Sequence, residues 1–130
     1  ANNISHKISI KGEVKESLKE HLSIEKINNS LILMDIEGSE FNLLSEQFLY
    51  EIQYSYVIVE LHDHFVTDGK EKLNKLIINC QSYFHTKIIQ CGSRDTSNFE
   101  ELNNFRDNDR WLLCSEGRGS KGHWLVLSPK

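Results

Sequence analysis

The sequence predicts an α/β fold, a mostly parallel sheet with helices on its faces. Two apolar runs, Leu31–Ile36 and Tyr56–Leu61, show no polar alternation, which marks strands covered on both faces. After the second run, Leu73, Leu76, Ile77, Cys80, Tyr83 and Phe84 recur at helical spacing. Strand-like and helix-like segments then continue to alternate along the chain, the pattern of a sheet flanked by helices.

The elements follow in order. Ile8 and Ile10 alternate like the tail of a strand, which Gly12 ends. Val14, Leu18 and Leu22 are spaced as one face of an amphipathic helix, and Ile24 and Ile27 extend that packing. Asn28, Asn29 and Ser30 form a turn. The Leu31–Ile36 strand leaves through Gly38, with Ser39 placed to cap the next helix and Glu40 in its first turn. Ser45 starts a second short helix carrying Phe48, Leu49 and Ile52. Beyond Tyr56–Leu61, residues 62–68 are a polar loop, and Asp68 and Gly69 open the long helix. Thr86–Cys91 is a third strand, ended by Gly92. Ser97 and Glu100 form a capping box ahead of Leu102 and Phe105. Asp109–Glu116 fits either a helical turn or a strand. Gly117, Arg118, Gly119, Lys121 and Gly122 form a flexible basic loop, read as solvated rather than anion-binding, before the last strand, HWLVLS.

With 130 residues the chain makes one domain, 1–130. Apolar content of 38% and charged content of 26% are those of a folded soluble protein. The 15 basic residues are outnumbered by 19 acidic ones, giving a net charge of -4. That sign argues against nucleic acid as a partner. No apolar run reaches the roughly 20 residues of a membrane span. Cys80, Cys91 and Cys114 are too widely spaced for the usual zinc site. Cys80 and Cys91 read as reduced core residues in a cytoplasmic, reducing setting. Trp111 and Trp124 read as packing residues.

The chemistry gathers at two strand ends. In an open parallel sheet, ligands bind outside the carboxyl ends of the strands. Asp35 and Glu37 stand at one such end, and Glu60, His62 and His64 at the next. Neighbouring strands lie about 4.8 Å apart, so these groups can converge on one small molecule. Asp35 interrupts an apolar run, where a buried carboxylate is costly without a partner or a task. Glu40 reads as a helix-start carboxylate. Carboxylates beside histidines supply a general base near neutral pH, and they can also hold a divalent cation. No phosphate-binding glycine loop follows one of these strands to open a helix, and neither GxxxxGK[ST] nor GxSxG occurs.

The stretch LILMDIEGSEFNLL, with Asp35, Ile36, Glu37, Gly38, Ser39 and Glu40 in order, resembles the segment around the fourth strand of FkbM-type methyltransferases, a branch of the class I S-adenosylmethionine-dependent enzymes, in which that strand ends in the Asp. Val57, Ile58, Val59, Glu60, Leu61 and His62 are similar to that family's next strand, and WLVLSPK to its last. The resemblance covers most of residues 14–130. It implies a Rossmann-like three-layer sandwich with an antiparallel last strand, incomplete at its N-terminal side. It further implies S-adenosylmethionine as cofactor and a small-molecule or sugar hydroxyl as acceptor. Asp35, Glu37, Glu60 and His62 would be the catalytic residues, with Asp35 or His62 as the base. Two positions depart from the pattern. Leu33 stands where the family often has Lys, and the glycine-rich loop that cradles the cofactor's methionine is absent, so the cofactor-binding residues stay unassigned. An apolar sheet edge left open on that side would favour self-association.

Three functions are therefore expected in order: methyl transfer to oxygen, a non-catalytic α/β binding module, and a metal-dependent hydrolase using Asp35, Glu60, His62 and His64.

Overall fold

The computed structural model describes residues 8–92, 94–115 and 122–130. The basic loop lies outside them, apart from Gly122. Four strands form one sheet: β1 (Leu31–Met34), β2 (Tyr56–Leu61), β3 (Phe84–Gln90) and β4 (His123–Pro129). Their spatial order is β1-β2-β4-β3. β1 and β2 are parallel, with Leu31 opposite Tyr56 and Met34 opposite Val59. β4 runs antiparallel to both β2 and β3. Three strands thus share one direction, and the last in sequence is inserted against them, as the resemblance implies. This order brings the carboxyl ends of β1, β2 and β3 to the same end of the sheet, beside the amino end of β4.

The helices are α1 (Ile24–Asn28), α2 (Glu40–Leu43), α3 (Glu46–Glu51), α4 (Gly69–Tyr83) and α5 (Asp107–Cys114). The core is built from Val57, Val59 and Leu61 of β2 with Leu125 and Leu127 of β4. Phe48, Leu49, Leu76 and Cys80 cover them from α3 and α4. Every second residue of β2 and β4 is inward, so the period-2 geometry of the strands sets the core directly. Ser45 caps α3 as expected, its hydroxyl accepting the Phe48 N–H at 3.3 Å.

Several expectations are corrected. Leu31 and Leu33 are 66% and 67% exposed, so β1 is not covered on both faces among the described residues. β1 also ends at Met34, before Asp35. The face carrying Leu31, Leu33 and Tyr56 is open, with Tyr56 also exposed. Ile8 and Ile10 form no strand.

The helix expected over Val14, Leu18 and Leu22 is instead a 3-10 turn, Leu18–Glu20, followed by α1. The cause is tertiary. The buried Glu51 carboxylate accepts the Ser17 hydroxyl at 2.6 Å and the Leu18 and Lys19 N–H groups at 2.8 and 3.1 Å. The start of the turn is thereby capped from another helix, while Val14, Leu18 and Leu22 still pack on the core.

Ser39 makes no capping hydrogen bond to α2. Asp95, not a Ser97–Glu100 box, caps the turn at Thr96–Asn98, accepting the Ser97 N–H at 2.9 Å. Of Asp109–Glu116, the residues through Cys114 belong to helix α5, and Glu116 lies outside the described residues. Trp111 is 46% exposed and Cys91 is also exposed, so neither is a core residue. Cys91 follows an edge strand, where one face has no covering element.

Candidate active site at the strand ends

After Met34 the chain turns sharply. Glu37 has φ 50 and Gly38 has φ 98, both left-handed, which glycine adopts at least cost. A Cβ at Gly38 would also meet Val66 Cγ1 at 3.1 Å. The turn carries Asp35 and Glu37 outward, where their side chains are 53% and 72% exposed. Asp35 is therefore not the buried carboxylate that its interrupted apolar run suggested. The strand stops one residue earlier, and the carboxylate emerges at the sheet end.

β2 delivers His62 to the same place. Its side chain is only 5% exposed, with Nε2 3.6 Å from Asp35 Oδ1 and 3.7 Å from Glu37 Oε2. Phe65 stacks on the imidazole, with ring centroids 5.5 Å apart and planes at 16°. Nδ1 faces inward, 3.5 Å from Glu40 Oε1, and makes no hydrogen bond.

Glu40 does more than start a helix. It is 0% exposed. One oxygen accepts the His62 backbone N–H at 2.7 Å, and the other accepts the Gly38 N–H at 2.9 Å. A buried carboxylate is tolerated when charge-assisted hydrogen bonds replace water. This one ties the exit of β1 to the end of β2. The signal for it in the sequence is a third carboxylate just beyond the turn glycine, at the start of a helix too short to need a charge there.

Of the four expected catalytic residues, Asp35, Glu37 and His62 converge, each with a ligating atom within 4.8 Å of the others. Glu60 does not join them. It lies inside β2, 3% exposed and in register with Trp124. His64 is exposed and also lies outside the group. The set expected for a metal-dependent hydrolase is therefore not assembled among the described residues.

A second acid–histidine contact was not expected. His123 Nε2 of β4 lies 3.0 Å from Asp63 Oδ1. Nothing local in the sequence signals it, because it depends on β4 entering the sheet beside β2.

Arranged this way, the site offers two accessible carboxylate oxygens and one imidazole nitrogen around a small volume. It can bind a hydroxyl, accept its proton or ligate a cation. Among the described residues no helix is long and apolar enough to cross a membrane.

A family model for the methyltransferase FkbM domain matches residues 7–112. Neither the curated proteins nor the solved structures gave a match.

Proposed function

Because the chain belongs to the FkbM methyltransferase family, we propose that it carries the acceptor side of methyl transfer from S-adenosylmethionine to an oxygen. The acceptor is a small-molecule hydroxyl, such as that of a sugar. The observation that carries this reading is the convergence of Asp35 and Glu37 on the buried His62 at 3.6 and 3.7 Å.

The residues described do not fit the cofactor's own cradle. Among the described glycines, Gly38 is the one with positive φ, and Val66 closes the space beside it. Gly69, at the start of α4, is packed against the Asp63 backbone. These residues therefore serve the acceptor and its proton rather than the donor.

A hydroxyl placed at the cluster can reach either exposed carboxylate, Asp35 or Glu37, whereas the His62 side chain is almost wholly buried. In this reading Asp35 accepts the hydroxyl proton, Glu37 orients the acceptor by accepting a hydrogen bond from a neighbouring hydroxyl, and His62 stands behind both carboxylates. Glu60 steadies the end of β2. Positioning and proton removal are what a direct displacement at a methyl carbon asks of the protein. Three free cysteines suit a reducing, cytoplasmic setting.

The test is Asp35→Asn in the full-length protein, assayed for methyl transfer to a panel of sugar hydroxyls. Loss of a general base lowers turnover by about 100-fold or more. Unchanged turnover removes Asp35 from the mechanism. That the described residues do not fit the cofactor's cradle favours a second reading, a non-catalytic binding module. No turnover with any acceptor, together with no binding of S-adenosylmethionine by calorimetry, would favour that second reading.

A further inference from the structure

We infer that Asp35 Oδ1, Glu37 Oε2 and His62 Nε2 form a binding site for one divalent transition-metal ion. The inference rests on the proposed acceptor site and specifies what occupies it.

Three observations support the ion. The first is spacing. Nε2 stands 3.6 and 3.7 Å from the two carboxylate oxygens, too far for hydrogen bonds. Ligand atoms roughly 2.1 Å from a shared ion, at angles of about 110–120°, lie about 3.4–3.6 Å apart, within about 0.1 Å of these two separations. The second is His62 itself. It is nineteen-twentieths buried by its 5% side-chain exposure, its Nδ1 makes no hydrogen bond, and its Nε2 is aimed into the carboxylate pair. Burying an imidazole this way is costly unless its nitrogens have work. The third is Glu40, which faces Nδ1 at 3.5 Å and is fixed by two backbone N–H groups. A carboxylate on that side of the ring favours the orientation that turns Nε2 outward to an ion, here without a hydrogen bond to Nδ1.

The ligand set selects the ion's class. Imidazole with carboxylates suits Mn²⁺, Fe²⁺, Co²⁺ or Zn²⁺ more than Ca²⁺ or Mg²⁺. The three protein ligands approach from the side of the sheet, and the exposed carboxylates leave the outer positions to water or an acceptor oxygen. A hydroxyl bound to such an ion loses its proton more readily. That supplies what a carboxylate base alone lacks toward an alcohol.

The test titrates the full chain with Mn²⁺ alone, following free Mn²⁺ by electron paramagnetic resonance. One site per chain is expected. Glu37→Gln and Asp35→Asn, both at exposed positions, each weaken it by about tenfold or more, while His64→Gln leaves it unchanged. The proposal is overturned if no saturable site appears, or if neither carboxylate variant weakens it. The titration contains no methyl donor and no acceptor. Its failure therefore leaves the methyl-transfer reading standing, and absent turnover leaves the ion site standing.

Discussion

Glu40 holds His62 by its backbone: Oε1 accepts the His62 N–H at 2.7 Å while lying 3.5 Å from Nδ1 of the same residue. The other oxygen holds Gly38 at 2.9 Å. One buried side chain therefore fixes both loops that bear Asp35, Glu37 and His62. Glu40→Gln keeps the shape but removes the charge and turns one acceptor into a donor facing an N–H group. Hydrogen bonds to a charged group contribute roughly 1.5–3 kcal/mol, so the variant should lose about 2 kcal/mol of stability. The urea midpoint checks this, and an unshifted midpoint would falsify the anchoring role.

Gly69→Ala should be more damaging. A Cβ there would stand 1.8 Å from the Asp63 carbonyl oxygen and 2.6 Å from its carbon. Backbone, not a flexible side chain, blocks it, so α4 or the turn Asp63–Phe65 must move. The cost is at least about 2 kcal/mol. The contact between Asp63 and His123 at 3.0 Å should open with it. Thermal melting reads the first effect, and the His123 ring signals in an NMR spectrum read the second.

The cysteines should separate by reactivity. Burial pushes the Cys80 thiol up to about 12, so at neutral pH it stays protonated and inaccessible, whereas Cys91 is exposed. Only thiolate attacks disulfide reagents. Ellman's reagent should therefore modify Cys91 in the native protein and Cys80 only after unfolding, as mass mapping of the labelled peptides would show. Native labelling of Cys80 would contradict its core position.

Asp95 gives a pH dependence. Its carboxyl is held below the usual range, chiefly by the Ser97 hydroxyl and then by the Ser97 backbone N–H. A depressed carboxyl stabilises the fold above its unfolded value and loses that contribution as pH falls through the folded one. The turn Thr96–Asn98 should therefore stay formed at neutral pH and loosen only in acid. An NMR titration of the Asp95 carboxyl carbon and the Ser97 amide should find a common midpoint below that of a free aspartate. A midpoint at the free value would remove the cap.

The sequence by itself determined the strands, the long helix and the region of the site. The apolar run ending at Leu61 and the helical spacing from Leu73 to Tyr83 are local patterns that burial reproduces, whereas the run from Leu31 forms its strand but leaves Leu31 and Leu33 exposed. It also placed Asp35, Glu37 and His62 at strand ends. Only the tertiary structure decided which carboxylates meet the histidine. Glu60 and Glu37 look alike in sequence, yet Glu60 is buried within β2 in register with Trp124, and the left-handed turn at Glu37 and Gly38 leaves Glu37 exposed. Glu40 looks like an ordinary helix-start carboxylate because one of its two partners, His62, lies 22 residues away, just beyond β2. The Glu51 cap on Leu18 and the contact between Asp63 and His123 were hidden for the same reason. Hydrophobic periodicity is written in neighbouring residues, whereas the partner of a buried charge is set by how distant segments pack.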